Sequence, residues 1–164
     1  MEKQPNNVPE SIWADGVPAN IKDEDRLTNE DLMGLAIDFV MNNIIIERGF
    51  KIERTFPRIT PPQIICKKDG VIYAIVVGVS MYPETSWLID SFRKGFYKKS
   101  VEQGLVPLFA PVAFESIDKD RAEQKIALKG DVFKNHFIAM IKLDDTDKMT
   151  PADINESMYF KIPD

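Results

Sequence analysis

Residues 71–80, with the sequence VIYAIVVGVS, most constrain the fold because this stretch contains no charged side chain. An almost continuous apolar run of this kind is typical of a strand that is buried on both faces of a sheet. The Asp69-Gly70 pair directly before it favours a tight hairpin turn. We therefore expect 71–80 to be the central strand of a sheet that is covered on both sides.

The residues on either side of this strand have the periodicities of further helices and strands. A helix is expected from Thr28 to Arg48, because Thr28 and Asp31 fit a capping box and Gly49 can end the helix. The β-branched run at 44–46 is expected to loosen its last turn. The other predicted elements are strands at 50–57, 63–67, 105–115 and 132–143, and helices at about 85–103 and 118–129.

This order of helix, strand, strand, strand, helix, strand, helix, strand predicts an α/β fold with a mixed central sheet and helices on both faces. Pro107 and Pro111 lack backbone N–H groups, so the strand at 105–115 is expected to be partly unpaired, bulged or interrupted. Near the C-terminus, 150–153 favours one helical turn and 157–162 a short edge strand.

Charge is distributed unevenly along the 164 residues. Residues 1–31 contain eight acidic and three basic side chains, and residues 144–164 contain six acidic and two basic ones, whereas residues 32–143 carry a net charge of +4. We interpret 1–26 as an irregular acidic arm, 27–143 as a single α/β domain and 144–164 as an acidic C-terminal extension. This distribution is not that of a uniformly basic nucleic-acid binder.

Cys66 is the single cysteine and His136 the single histidine, which excludes an internal disulfide and any metal site that needs several such ligands. Sparse cysteine usage favours a cytoplasmic protein, and no apolar run is long enough to predict a membrane helix or a signal peptide. We expect Cys66 to be a buried, inert thiol. His136 is expected to face solvent or to be satisfied by local hydrogen bonds, without acting as a ligand or a base.

Short motifs at the starts of the predicted strands carry a resemblance to a known family. Gly49-Phe50 begins the first strand, Pro62-Gln63 opens the second, and the Asp69-Gly70 turn precedes the third. Together with the predicted element order, they resemble, over roughly 28–143, the restriction-endonuclease-like fold of the PD-(D/E)XK nuclease superfamily. The resemblance implies that fold for this chain.

The resemblance also implies three catalytic positions, a metal-binding Asp at Gln63, a second acidic ligand at Val76 and a lysine at Gly78. In that family, carboxylate oxygens hold a hard divalent ion, and the lysine helps to orient water and to stabilise charge on phosphate. None of the three side chains present here carries a charge. We therefore expect a degenerate member, a non-catalytic binding or interaction module on a nuclease-like scaffold, with no cofactor.

Two alternatives remain open. Glu53, Glu84 and Asp90 flank the expected catalytic strands and are weak candidates for a relocated metal site. The chain would then be a metal-dependent nucleic-acid-processing enzyme with a divalent ion as cofactor. In the other alternative, the missing side chain at Gly78 opens space on the sheet, and the chain is a small-molecule binding domain.

Four cations recur along the second predicted helix: Arg93, Lys94, Lys98 and Lys99. In a nuclease-like fold this helix flanks the cleft, so the cations form a candidate anion-binding stripe. An amphipathic helix with a solvated basic face gives the same pattern and is the commoner interpretation. We expect a protein partner, with weak nucleic-acid binding as the open alternative and no membrane association.

Overall fold

The computed structural model describes residues 23–56, 60–146 and 149–163, apart from the side chain of Arg121. The strands in this part of the chain are β1 (Lys51–Thr55), β2 (Ile64–Lys68), β3 (Val71–Met81), β4 (Val106–Ser116), β5 (Phe133–His136) and β6 (Ile141–Lys142). The α-helices are α1 (Asn29–Phe39), α2 (Asp90–Glu102) and α3 (Lys119–Gln124), and short 3₁₀ turns occur at Asp23–Asp25, Pro151–Asp153 and Glu156–Met158. Residues 1–22 of the predicted acidic arm lie outside the described residues.

The strands form one mixed sheet in the order β1-β2-β3-β4-β5. The first three strands are an antiparallel meander, and α2 then connects β3 to the parallel strand β4. Both β5 and β6 pair with the outer edge of β4 in the antiparallel sense. The predicted α/β class and mixed sheet are confirmed, and so is the central position of β3.

The start of α1 follows the predicted capping box. The Thr28 hydroxyl accepts a hydrogen bond from the Asp31 backbone N–H at 3.1 Å, and the Asp31 carboxylate accepts one from the Thr28 N–H at 3.0 Å. The helix was expected to run to Arg48, but it changes to a π-helix over Val40–Ile45. The wider turn allows Val40 and Ile45, five residues apart, both to be fully buried.

The helices after β3 are shorter than the sequence predicts. The helix expected from residue 85 begins at Asp90, because Trp87 and Leu88 pack into the core in an irregular segment instead. The helix expected over 118–129 ends at Gln124. Lys125 then takes the left-handed conformation, and the following residues pair with the N-terminal side of α1 through a bridge between Leu128 and Arg26.

The strand with the two prolines was expected to be partly unpaired, bulged or interrupted; β4 is continuous but partly unpaired. Both prolines lie in the parallel ladder with β3. The Pro107 carbonyl accepts from Leu143 on the opposite side of the strand, and Pro111 lies in the gap between the positions that pair with β6 and those that pair with β5. The missing N–H groups therefore interrupt only the outer edge of β4, which also explains why the predicted last strand is divided in two.

Residues of β3 and β4 divide by alternation between two faces of the sheet. We call the α1 face the side on which Tyr73, Ile75 and Val77 pack with Leu108, Ala110, Val112 and the buried residues of α1. We call the α2 face the side on which Val76 and Phe109 pack with Trp87, Leu88, Phe92 and Phe96. Helices therefore cover both faces, as predicted.

The end of the chain packs onto this domain. The predicted turn at 150–153 forms, with a capping box between Thr150 and Asp153. The expected edge strand is reduced to one bridge between Tyr159 and Ile141, next to a hydrogen bond from the Phe160 N–H to the Met140 carbonyl at 2.8 Å. Tyr159 packs on the α2 face and Phe160 on the α1 face, so this segment contributes to both cores.

Candidate functional site

Gln63, at the first expected catalytic position, is part of the sheet core. Its side chain is buried, and its Oε1 accepts a hydrogen bond from the Val77 backbone N–H at 2.8 Å. Its own backbone N–H donates to the Ile75 carbonyl at 3.1 Å. A neutral amide thus satisfies a buried backbone donor of β3 at the point where β2 begins.

Val76 and Gly78, at the other two positions, are held by close packing. Val76 is 3% exposed beneath α2. Gly78 is half-buried, and a Cβ added there would lie 2.5 Å from the Ser86 hydroxyl and 2.7 Å from the Phe109 ring. The position therefore has no room for a longer side chain, and the space expected at Gly78 is already filled by Ser86 and Phe109.

The three carboxylates considered for a relocated metal site lie in separate places. Glu53 is exposed on the edge strand β1. Glu84 forms an ion pair with Lys125 at 2.6 Å, and Asp90 forms one with Arg93 at 3.2 Å. Within residues 23–56, 60–146 and 149–163, no group of three or more His, Cys, Asp or Glu side chains is arranged to hold a metal ion.

Arg93, the first residue of the predicted cation stripe, is not on the surface, because it is 0% exposed. Its guanidinium pairs with Asp90 and with Asp144, both at 3.2 Å, and also donates to the Asp144 and Thr146 carbonyls. Arg93 therefore fastens the C-terminal segment to α2. Lys94 is half-buried, and Lys98 and Lys99 are exposed on α2.

Asp90 completes this attachment. The Met149 backbone N–H donates to its carboxylate at 3.2 Å, next to the Arg93 guanidinium. The Met149 hydrogen bond, followed by that of Arg93, holds the pKa of Asp90 below its usual range. The Trp87 indole N–H also donates to the Met149 carbonyl at 3.1 Å, so α2 and the segment before it hold this part of the chain.

A cavity of about 490 Å³ opens on the α2 face, at the carboxyl end of β3. We call it the His136 cavity; it is lined by Ser80, Ser86, Pro111, Ala113, His136, Ile141 and Tyr159, among others. Ser80 and Ala113 are register partners in the parallel ladder, and their small side chains leave this space above the sheet. Pro151 and Ile154 of the C-terminal segment close one side.

His136 is held in this cavity by two neighbours. Its Nε2 lies 3.0 Å from a Glu115 carboxylate oxygen, and its ring stacks on Tyr82 with the ring centroids 3.8 Å apart. Contacts from two directions fix both the position and the plane of the imidazole. The sequence predicted that His136 faces solvent or is simply satisfied. The Glu115 contact fits the second alternative, and the cavity was not anticipated.

A second cavity of about 600 Å³ lies on the same face, on the other side of Val76. It separates α2 from β2 and is lined by Ile65, Ala74, Phe92, Gly95 and Phe96, among others. Its described walls are largely apolar and contain no imidazole–carboxylate contact of the kind found at His136. The His136 cavity is therefore the better candidate for a functional site.

One sequence family matches this chain, and its description is "Domain of unknown function (DUF8840)", with the match covering residues 30–143. The chain belongs to the DUF8840 family. No curated protein and no solved structure matches it. The DUF8840 region includes His136, Glu115 and Tyr82, whereas the C-terminal residues that close the cavity follow it.

Sequence reasoning missed the pairing of His136 with Glu115 and Tyr82, since these residues are far apart in the DUF8840 sequence. One sequence signal of the cavities was available in β3. On the face that has the cavities, this strand carries the small residues Ala74, Gly78 and Ser80.

None of the helices that the structure describes has the length and the apolar character needed to cross a membrane.

Proposed function

We propose that this DUF8840 chain is a non-catalytic binding module on a restriction-endonuclease-like scaffold. The scaffold is supported by the order α1-β1-β2-β3-α2-β4, with an antiparallel meander followed by a parallel strand. Because one fold can serve many functions, the functional part of the proposal rests on the residues at the expected site.

The observation that carries the proposal is the structural use of all three expected catalytic positions. Gln63 bonds to the backbone of β3, Val76 is covered by α2, and Gly78 is in close contact with Ser86 and Phe109. A metal-binding carboxylate pair and a lysine would each need space or solvation that these positions lack. The scaffold is thus adapted to packing where a nuclease would bind its metal ion.

The partner that we propose is a protein. Affinity for nucleic acid depends on the number of phosphates that exposed cations neutralise. Of the four cations in the predicted stripe, only Lys98 and Lys99 are exposed, since Arg93 is enclosed by the C-terminal segment and Lys94 is half-buried. We also propose a cytoplasmic location, because the single cysteine is a buried free thiol, and disulfide bonds are rare in that compartment.

Incubation with supercoiled plasmid in the presence of Mg²⁺ or Mn²⁺ tests the absence of catalysis. We expect the plasmid to stay intact while an authentic restriction endonuclease cleaves it in parallel. Metal-dependent nicking that is lost in Glu53→Gln, Glu84→Gln or Asp90→Asn would overturn the proposal in favour of a relocated nuclease site.

Fluorescence anisotropy with labelled single- and double-stranded oligonucleotides tests the class of partner. At low salt we expect at most weak binding that disappears as salt rises, because exposed charges are screened over about 10 Å at 0.1 M ionic strength. Tight binding that Lys98→Glu with Lys99→Glu abolishes, and that the control Lys51→Glu on β1 leaves intact, would identify a nucleic-acid partner instead.

A further inference from the structure

The His136 cavity has the size and position of a small-molecule site. Ligand pockets usually measure about 300–1,000 Å³, and this cavity measures about 490 Å³. In open α/β sheets, ligands commonly bind outside the carboxyl ends of the strands. Ser80, at the carboxyl end of β3, lies in the cavity wall together with Pro111 and Ala113 of the parallel strand β4.

One ring nitrogen in this cavity has unused hydrogen-bonding capacity. When the Nε2–H of a neutral His136 donates to Glu115, the remaining ring nitrogen, Nδ1, is an acceptor. The described part of the chain supplies no partner for that nitrogen. A ligand that fits would offer Nδ1 a donor.

The charges around the cavity disfavour an anion. Glu84 lines it and is paired with Lys125, and Glu115 is paired with His136. Beside a neutral imidazole the negative charge of Glu115 is uncompensated, so a ligand carboxylate or phosphate would be repelled. The walls also include the aromatic side chains of Tyr159 and Phe137, which favour contact with a planar ring.

We propose that the His136 cavity binds an uncharged planar molecule that carries an N–H donor for His136 Nδ1. Glu115 and Tyr82 orient the imidazole before the ligand arrives, so no side-chain ordering at His136 is needed on binding. This inference goes beyond the proposed function. Its test involves neither nucleic acid nor a protein partner, so the two can fail independently.

The test uses three probes of similar shape, followed by NMR of the ¹⁵N-labelled full chain. Benzamide has the donor, N,N-dimethylbenzamide lacks it, and benzoate is the anion. We expect benzamide to shift the backbone amide signals of 80–82, 84–86 and 135–139. Binding of the other two probes should be about tenfold weaker, as expected for one lost hydrogen bond.

Variants locate the binding. Ala113→Leu fills the cavity and should abolish the benzamide shifts. His136→Phe keeps a ring to stack on Tyr82 but removes the acceptor, and it should weaken binding about tenfold. If Ala113→Leu does not fold, His136→Phe still decides the question. The control Gly95→Leu adds bulk at the wall of the second cavity, where a Cβ meets no atom within 4 Å, and should leave the affinity unchanged.

Four results would overturn the inference. The first three are that benzamide shifts none of these signals, that it binds equally well to His136→Phe, and that benzoate binds as tightly as benzamide. The fourth is an equal loss of binding in Gly95→Leu, which would assign the probe to the second cavity.

Discussion

The two faces of the sheet are built from the same strands but are filled differently. On the α1 face, large side chains from β3 and β4 meet α1 in a continuous core. On the α2 face, the core is a narrow ridge at Val76 and Phe109, with a cavity on each side of it. One β-strand can thus stabilise the domain with one set of alternate residues and leave space for a ligand with the other.

The ridge of Val76 and Phe109 is apolar and buried, and it separates the two cavities. We expect Val76→Glu, which restores the acidic residue of the nuclease pattern, to lower the free energy of unfolding by about 3–5 kcal/mol, because its carboxylate is buried without a partner. Urea denaturation followed by circular dichroism measures the change. Val71→Glu, at the exposed start of the same strand, is the matched control and should change the stability by less than about 0.5 kcal/mol. An unchanged midpoint for Val76→Glu would mean that the ridge is accessible to water.

The contrast between the faces can be measured with one substitution at two positions of β4. Ala110 is fully buried on the α1 face, and Ala113 lines the His136 cavity on the α2 face. Ala110→Val should destabilise the protein by about 1–3 kcal/mol, because a well-packed core has no space for two further methyl groups. Ala113→Val should cost less than about 1 kcal/mol, because it enters open space. Equal costs in thermal unfolding would remove the distinction between the two faces.

The C-terminal segment closes the α2 face, and its attachment should depend on pH through Asp90. The pKa of this carboxyl is lowered by the Met149 N–H and by Arg93, so the folded state favours the charged form. The attachment is therefore complete above the ordinary Asp pKa of about 3.9 and is lost as the pH falls through the lower value in the folded state.

NMR of the Met149 amide measures this effect. Its chemical shift should titrate with a midpoint below that of an exposed aspartate, and Asp90→Asn should remove the titration. A midpoint at the ordinary value would contradict the contact with Met149.

The smallest effect concerns Cys66, which belongs to the α1-face core. Burial raises the pKa of its thiol to about 12. Since the thiolate is the reactive form, iodoacetamide should not label the native protein at pH 8 but should label it fully in guanidinium. Mass spectrometry reads out the modification. Labelling of the native protein at the rate of a free thiol would show that the α1 face opens more readily than its packing suggests.

Much of the fold could be predicted from local pattern. The charge-free run at 71–80 correctly predicted the central strand, and Thr28 with Asp31 correctly predicted the start of α1. Such features depend on residues close together in sequence, so the local pattern is enough to indicate them. The predicted start of α2 and the predicted end of α3 were less accurate, because contacts from Trp87 and Leu128 to distant parts of the chain outweighed helix propensity.

The sequence by itself determined the α/β order, the burial of β3 and the absence of charge at Gln63, Val76 and Gly78. Only the tertiary structure decided that Arg93 is enclosed by the C-terminal segment instead of lying on an exposed stripe. It alone also brought His136, Glu115 and Tyr82 together beside a cavity. The physical reason is that helix and strand patterns repeat over a few residues, whereas ion pairs and cavities depend on which distant segments the sheet brings into contact.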